Sequence, residues 1–426
     1  MNQHPLIVSA TFKCEDNIMK RMWTTGYKGI QQLASKICYD AAYFEQLPYT
    51  GDTRIQALQA LYLSGDDKLI KKAIMDFYNS KTPEYMTNTR TLGGRLKIIP
   101  TFSLYWICMI YDYWMHRNDD AFIEILLPSI HGILDWYERQ LMGDQEMLGA
   151  IKWWNFVDWD KYNGWGISPD PENGKSAIMS FQYAYTLKLA AKLFNAYGDP
   201  DCAKKYNILA DEISRDTLRL CFNEEQFLIA DNPDQNSFSQ YTNIWAILSG
   251  AVEDKKAIEI MYHLLYNRQI IQVSNFYKFY LNQALKIVNM ADQYQRQLAS
   301  WQRLRNMDFK PDVDPTEPIL AERNGWSKFP NYEFLATICG ITSAAPGFNK
   351  IMIKPALGDL TNIEASMPHP NGTINIRLMK TSKESITAEI TLPPETEGFF
   401  IWSKKVYNLK SGFQRLVSIV FNGSLS

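Results

Sequence analysis

Helical periodicity is the feature of this sequence that most restricts its fold. From about residue 15 to residue 340, apolar side chains recur every three or four positions, the spacing of one helix face. In the segment 101–117, for example, Leu104, Ile107, Tyr111 and Trp114 follow this spacing. The pattern predicts helices at 16–37, 52–64, 66–79, 101–117, 119–141, 176–197, 199–220, 238–251, 253–266, 274–289, 291–307 and 328–340.

The connections between these helices alternate between short and long, which indicates six helical hairpins. Hairpins that close on themselves form an (α/α)6 barrel, whose wide end carries the long loops. An α-solenoid is the competing architecture, but the sequence contains no fixed repeat of about 34 or 40 residues. We therefore predict a mainly α fold of the six-hairpin type.

After residue 343 the pattern becomes that of β-strands. Apolar and polar residues alternate in "GTINIRLMK" and "ESITAEITLPP", between Gly, Pro and Asn turns. We predict a small antiparallel β-sandwich here. The predicted organisation is an extended segment at 1–14, an (α/α)6 barrel at 15–343 and the sandwich at 344–426.

Composition narrows the classes of partner. The chain has 44 basic and 46 acidic residues, well mixed, so we expect no nucleic-acid partner. Aromatic residues make up 13%, including 12 Trp and 24 Tyr, which suits either sugar stacking or a large aromatic core. The six cysteines form no CxxC pair and the five histidines have no ligand spacing with them. We expect neither a metal nor a cofactor.

The sequence gives no sign of a membrane span, because no apolar run reaches about 18 residues. The N-terminal "MNQHPLIVSATFKCEDN" lacks a basic region followed by an apolar core, so no signal peptide is visible. The cellular compartment is not determined by the sequence. It is consistent with the cytoplasm, or with the periplasm if the chain is a fragment of a longer protein. The oligomeric state stays open as well.

Acidic and aromatic residues concentrate in "DAAYFEQLPYTGDTR", residues 40–54. Asp52 opens a predicted helix, where a carboxylate is stabilised as an anion or acts as a simple N-cap. Apolar surroundings raise the pKa of a carboxyl group, as a general acid requires. This favours Glu45 over Asp40 and Asp52 for that role. Its neighbours in sequence are Tyr43, Phe44, Leu47 and Tyr49. A solvated loop is the simpler alternative.

A second stretch of this kind is the long loop at 142–175, which contains four tryptophans beside Asp158 and Asp160. Loops on a rigid scaffold often carry function, and this one is too long for a simple connection. We interpret it as a binding rim. Its tryptophans are Trp153, Trp154, Trp159 and Trp165.

These segments resemble glycoside hydrolase family 78, the bacterial α-L-rhamnosidases. "YDAAYFEQLPYTGDTRIQAL" is similar to the family's catalytic segment, with Ala41 and Ala42 in place of a Cys-Pro pair. The resemblance covers nearly the whole chain, continuing through "IIPTFSLYWICMIYDYWMHRND", "WWNFVDW", "GWSKFPNYEFLATICGI" and "APGFNKIMIKPALGDL". It implies an (α/α)6 barrel followed by a β-sandwich, as predicted above; family members usually carry further β-domains upstream.

The resemblance implies an inverting hydrolase that releases terminal α-L-rhamnose from a glycoside or polysaccharide. Glu45 takes the place of the general acid. Asp314, twelve residues before Trp326, takes the place of the general base, where the family has the last Glu of Thr-Thr-Trp-Ala-Glu. Aspartate is one methylene shorter, and a displacement of about 1 Å costs on the order of 100-fold in rate. Glu317 and Glu322 are the alternative bases.

The same resemblance assigns residues that contact the substrate. Asp40, Asp52 and Asp158 hold sugar hydroxyls, Tyr49 packs on the sugar ring and Arg54 orients the carboxylates. The expected walls of the pocket are Trp106, Trp153, Trp154, Trp159 and Trp326.

Two other readings stay open. One is a carbohydrate-binding or weakly active homologue with an impaired base. A kinetic comparison with an Asp314→Glu variant distinguishes it from an active hydrolase. The other is a different (α/α)6 enzyme, such as a terpenoid cyclase or a uronyl hydrolase. A cyclase requires a DxDD or DDxxD motif, and the sequence contains neither.

Overall fold

The structure is a computed structural model that describes residues 7–34, 49–89, 97–141, 146–158, 174–298 and 331–418. Its helices, in chain order, are α1 (Asn17–Ala34), α2 (Thr50–Ser64), α3 (Lys68–Asn79), α4 (Pro100–His116), α5 (Asp120–Glu124), α6 (Leu127–Arg139), α7 (Ala177–Ala196), α8 (Pro200–Cys221), α9 (Gln240–Ser249), α10 (Asp254–Tyr266), α11 (Lys278–Ile287), α12 (Tyr294–Gln297) and α13 (Asn331–Glu333), which continues as a π-helical segment, Phe334–Ile338.

An inner ring of helices forms the centre of the molecule. Helices α2, α4, α7, α9 and α11 contact one another in this order, and α13 contacts α2. Side chains close the ring between α11 and α13, because Gln283 donates to the Glu333 carboxylate at 3.3 Å and Lys286 lies 3.3 Å from it. The ring confirms the predicted six-hairpin fold.

The remaining helices pack outside this ring. Helices α1, α3, α6, α8, α10 and α12 each contact at least one inner helix. The sequence explains the division, since α4 buries nearly all of its side chains, whereas α3 buries a single stripe. That stripe consists of Ile70, Ala73, Ile74 and Phe77.

The predicted helix at 119–141 is two helices, α5 and α6. Pro128 lies in the first turn of α6. Proline has no N–H to donate and its ring clashes with the preceding helical turn, so a helix that reaches this position is kinked or broken. The prediction of one helix was wrong here.

The strands are β1 (Thr11–Cys14), β2 (Phe222–Asn223), β3 (Leu228–Ile229), β4 (Ile341–Ser343), β5 (Lys350–Ile353), β6 (Asn362–His369), β7 (Gly372–Lys380), β8 (Ile386–Trp402) and β9 (Lys405–Ser418). Strands β2 and β3 form a hairpin between α8 and α9, and the other seven form one hydrogen-bonded sheet. A C-terminal sheet domain is confirmed, but it is not wholly antiparallel as predicted, because β5 and β8 pair in parallel.

Strand β8 determines the shape of this sheet. Its first half pairs with β7, its second half pairs in parallel with β5, and β9 follows its other edge. The halves meet at an irregularity between Leu392 and Glu397, where the consecutive Pro393 and Pro394 have no N–H to contribute to the ladder. All other pairs of the sheet are antiparallel.

The N-terminal segment lies in the same sheet. Strand β1 pairs with β6, from Thr11 opposite Ser366 to Cys14 opposite Ile363. Strand β4 directly follows the π-helical segment. The domain boundaries at 14/15 and 343/344 stay predictions. In the part of the chain that the structure describes, no helix is both long and apolar enough to cross a membrane.

A buried ion pair joins two inner helices. Arg54 of α2 donates through Nε to Oδ2 of Asp112 on α4 at 2.7 Å and through Nη2 to Oδ1 at 3.3 Å. The side chains are 4% and 13% exposed. Burial alone would lower the pKa of Arg54, but the Asp112 carboxylate raises it well above its ordinary value. The Arg54 guanidinium therefore remains charged inside the ring.

The turn from the helices into the sheet depends on Gly340. Its φ is +71°, and an added Cβ would collide with the carbonyl group of Lys354. The Lys354 N–H in turn donates to the Gly340 carbonyl at 2.9 Å. Only a residue without a side chain allows this close approach.

We expect Gly340→Ala to destabilise the protein by about 2–4 kcal/mol, because it adds a backbone collision to an unfavourable φ. Gly198→Ala is the matched control. Gly198 has a φ of +83° but no atom within 4 Å of an added Cβ. The loss of stability in Gly198→Ala therefore measures the cost of the positive φ alone, about 1–2 kcal/mol. Urea unfolding followed by circular dichroism measures both, and equal losses would contradict the account.

We expect Asp112→Asn to lower the free energy of unfolding by about 3–5 kcal/mol, because it leaves the Arg54 charge buried without its partner. The double variant Arg54→Met/Asp112→Leu should lose less than this. Lys72→Met, which breaks the exposed pair with Asp76 on α3, is the control and should cost less than about 1 kcal/mol. A loss for Asp112→Asn no larger than that of the control, in the same urea titration, would refute the claim.

Candidate active site

The N-terminal ends of several inner helices meet at one end of the ring. A Cβ added to Gly51, the second residue of α2, would lie 3.1 Å from Cζ of Phe276, just before α11, and 3.4 Å from Cδ2 of Tyr105 on α4. In the first turn of α9, Tyr241 donates to Oδ2 of Asp158 at 2.9 Å. Helix N-termini carry partial positive charge, so this end favours carboxylates and other oxygen ligands.

The first turn of α2 places two residues predicted for the site. Tyr49 precedes the helix with an extended backbone, Asp52 lies in the first turn, and both are half-buried. The Tyr49 carbonyl accepts hydrogen bonds from the Thr53 N–H at 2.9 Å and from the Thr53 hydroxyl at 2.6 Å. These bonds fix the turn, so the backbone that carries Asp52 is held in place.

The two adjacent tryptophans of the 146–158 loop have different neighbours. The Trp154 ring lies 4.8 Å from Phe156, which lies 5.9 Å from Phe102 of α4. The Trp153 ring instead stacks on Trp136 of the outer helix α6, at 5.5 Å. Trp154 thus belongs with the N-terminal end of α4, whereas Trp153 packs on the outside of the barrel.

Lysines cover both of these rings. Lys97 Nζ lies 4.1 Å from the centre of the Trp154 ring, and Lys152 Nζ lies 4.4 Å from the centre of the Trp153 ring. Cation–π contacts of this kind hold a ring in place without burying its polar edge. Both rings are half-buried.

Asp158 lies at the end of this loop and is 6% exposed. Burial, together with the Asp158 carboxylate, raises the pKa of Tyr241 well above its ordinary value. The Tyr241 hydroxyl therefore stays protonated and donates a hydrogen bond. The Tyr241 ring meets Tyr277 edge-on at 4.6 Å. Asp158 is therefore held against α9 and the start of α11.

A buried aromatic cluster lies beneath these residues, and the sequence pattern did not reveal its role. Tyr105 donates to the Tyr277 hydroxyl at 3.1 Å, and Trp245 donates to the same oxygen at 3.3 Å. Tyr280 stacks on Tyr105 at 5.5 Å and accepts a hydrogen bond from Arg54 at 3.4 Å. The cluster connects the surroundings of Asp158 with the buried ion pair.

The sequence offered only the positions of these residues along the predicted helices as a signal. Tyr277 and Tyr280 lie three residues apart in a predicted helix and were indistinguishable from ordinary core positions. Asp112 was more informative, because it is a lone acid in the apolar segment 101–117. A lone acid on a helix buried on all sides requires a buried partner.

Besides Trp153, two residues predicted to bind substrate have other partners. Trp106 has no exposed surface, and its indole N–H donates to the Ile74 carbonyl of α3 at 3.0 Å. The structure therefore supports a packing role for Trp106 between α3 and α4. Arg54 lies one helical turn after the N-terminal end of α2, where it is held by Asp112.

Five predicted site residues lie outside the described residues. They are Asp40, Glu45, Trp159, Asp314 and Trp326. Within the described ranges, no group of three or more His, Cys, Asp or Glu side chains is arranged to hold a metal ion. The structure brings together Tyr49, Asp52, Trp154 and Asp158 at the same end of the barrel.

Two family models match the chain. Residues 8–268 match the six-hairpin glycosidase domain of bacterial α-L-rhamnosidases, and residues 340–404 match the C-terminal domain of these proteins. No curated protein sequence matches it.

Solved structures share the fold. A family 78 rhamnosidase of Bacillus sp. GL1 superposes with a TM-score of 0.80 at 20% identity, over 94% of this chain and 43% of that one. The α-L-rhamnosidase of Streptomyces avermitilis, solved with L-rhamnose, gives 0.77 at 15% identity, over 97% and 42%. A rhamnosidase of Klebsiella oxytoca with rhamnose bound gives 0.64 at 17% identity, over 75% and 64%.

The chain spans about two fifths of the length of the first two of these proteins. At these identities the superpositions establish the fold, while the first family model alone covers more than half of the sequence. The chain belongs to the bacterial α-L-rhamnosidase family of six-hairpin glycosidases.

Proposed function

We propose that this chain is an inverting glycoside hydrolase that releases terminal α-L-rhamnose from a glycoside or polysaccharide. The observation that carries the proposal is the location of Asp52, Trp154 and Asp158 at the end of the ring where the inner helices begin. Carboxylates beside an aromatic ring match the hydroxyl-bearing edge and the apolar face of a sugar.

Glu45 is the proposed general acid. It precedes Tyr49 by four residues, and four residues of chain span about 14 Å at most. Its carboxyl group protonates the glycosidic oxygen as the bond to the anomeric carbon breaks. The apolar residues that flank it in sequence support a raised pKa, which keeps this proton available near neutral pH.

Asp314 is the proposed general base. It takes a proton from a water molecule that attacks the anomeric carbon from the face opposite the leaving group, so the product has the inverted configuration. This geometry requires about 6.5–9.5 Å between the two carboxyl groups. In the described part of the site, the proposed contacts of the sugar are Tyr49, Asp52, Trp154 and Asp158. The rest of the chain contributes Asp40, Trp159 and Trp326.

The second candidate function is carbohydrate binding with little hydrolysis. The observation that favours it is the aspartate at position 314, which is one methylene shorter than the glutamate of the family pattern. Asp314→Glu separates the two functions. A large gain in kcat identifies a working but shortened base, whereas a protein that binds L-rhamnose and hydrolyses no rhamnoside in either form is a binding protein.

We expect Glu45→Gln to abolish hydrolysis of a natural rhamnoside but to spare much of the rate on an aryl rhamnoside, because a good leaving group needs little protonation. Initial rates on the two substrates measure the difference. The control is Glu212→Gln, on the exposed side of the outer helix α8, which should leave both rates unchanged. Equal losses on both substrates for Glu45→Gln would remove Glu45 from the acid role.

We expect Asp314→Ala to lower kcat on natural and aryl rhamnosides alike, by about 100-fold or more, because water must attack whatever group leaves. The same two assays measure it. An unchanged rate would exclude Asp314 as the base and transfer the role to Glu317 or Glu322.

A further inference from the structure

Tyr241 is a buried residue that the sequence did not single out. It lies in the first turn of α9 and is 5% exposed. Its hydroxyl donates to Oδ2 of Asp158 at 2.9 Å and accepts a hydrogen bond from the Ser274 main-chain N–H at 3.3 Å. The hydroxyl therefore links the loop that ends at Asp158 to α9 and to the chain just before α11.

This arrangement constrains the Asp158 carboxylate in a particular way. A hydrogen bond to a charged acceptor is stronger than one between neutral groups, and a hydroxyl that also accepts from an amide is a better donor. The Tyr241 side chain has little freedom of its own, because its ring packs edge-on against Tyr277 at 4.6 Å. The position of the carboxylate is thus set by inner helices and does not depend on the loop alone.

The loop adds a second restraint nearer to its own backbone. Asn155 Nδ2 donates to the Ile151 carbonyl at 2.9 Å and to the Trp153 carbonyl at 3.2 Å. These bonds fold the 151–155 turn but do not reach Asp158. The bond from Tyr241 crosses from this loop to the inner ring, and it acts on the oxygen of Asp158 itself.

We propose that Tyr241 is a positioning residue for this site, holding the Asp158 carboxylate in the orientation in which it accepts a hydrogen bond from a sugar hydroxyl. The inference rests on the proposed function and deepens it. Removing the Tyr241 hydroxyl takes away the donor that the inner ring supplies to Oδ2 of Asp158. The orientation of the carboxylate is then less restricted, so sugar binding weakens while the fold persists.

Tyr241→Phe tests the inference in the full chain. We expect kcat/KM on an aryl rhamnoside to fall about tenfold and the inhibition constant of L-rhamnose to rise by a similar factor, the effect of losing one charge-assisted hydrogen bond. The matched control is Tyr183→Phe. Tyr183 of α7 is also buried and donates to the Leu134 carbonyl at 2.8 Å, on the side of α7 that faces the outer helix α6. It should lose similar stability but no activity.

A double-mutant cycle separates positioning from general destabilisation. If Tyr241 acts through Asp158, then Tyr241→Phe has no further effect on L-rhamnose affinity in an Asp158→Asn background. Calorimetric titration with L-rhamnose measures the four affinities. The same loss in both backgrounds, or a full-affinity Tyr241→Phe single variant, overturns the inference.

The outcome also distinguishes this inference from the proposed function. If the wild-type protein hydrolyses rhamnosides and the Tyr241→Phe variant is equally active, the positioning role is refuted but the proposed function is not. Wild-type protein that binds L-rhamnose without hydrolysis still reports on Tyr241 through the affinities. Wild-type protein that neither hydrolyses rhamnosides nor binds L-rhamnose overturns both.

Discussion

The buried pair of Arg54 and Asp112 is the interaction on which the geometry of the site depends. It holds α2 against α4 in a single register, because the bidentate contact tolerates neither sliding nor rotation of one helix on the other. The first turn of α2 lies just above Arg54, so the pair also determines where Asp52 lies. Two charges in a dry interior are costly unless they meet, and this cost enforces the arrangement.

Above the ion pair, the N-terminal ends of the inner helices determine the electrostatic potential of the site. Inner helices that meet at their N-terminal ends place several partial positive charges around one region, which favours oxygen ligands there. A carboxylate oxygen held there is a suitable acceptor for a hydrogen bond from a sugar hydroxyl. The tyrosine cluster beneath, centred on Tyr277, connects this region with the ion pair through hydrogen bonds and ring contacts.

Sequence reasoning reached the fold because periodicity is local. The inner and outer helices and the change to strands after residue 343 follow from spacing alone, and the error at 119–141 came from underrating Pro128. The site was harder, because its contacts join residues that are distant in sequence. Asp158 and Tyr241 are 83 positions apart, and Arg54 and Asp112 are 58 apart. Similarly, nothing local distinguishes Trp153 from Trp154, although the Trp153 ring packs on α6 and the Trp154 ring packs on Phe156 of its own loop.

The central claim is that the converging N-terminal ends of the inner helices form the sugar site. A crystal structure of the chain soaked with L-rhamnose tests it most directly. We expect sugar hydroxyls within about 3 Å of the Asp52 and Asp158 carboxylates, with the Trp154 ring beside the sugar. L-rhamnose bound at the opposite end of the barrel or on the sheet, with this region empty, would contradict the claim.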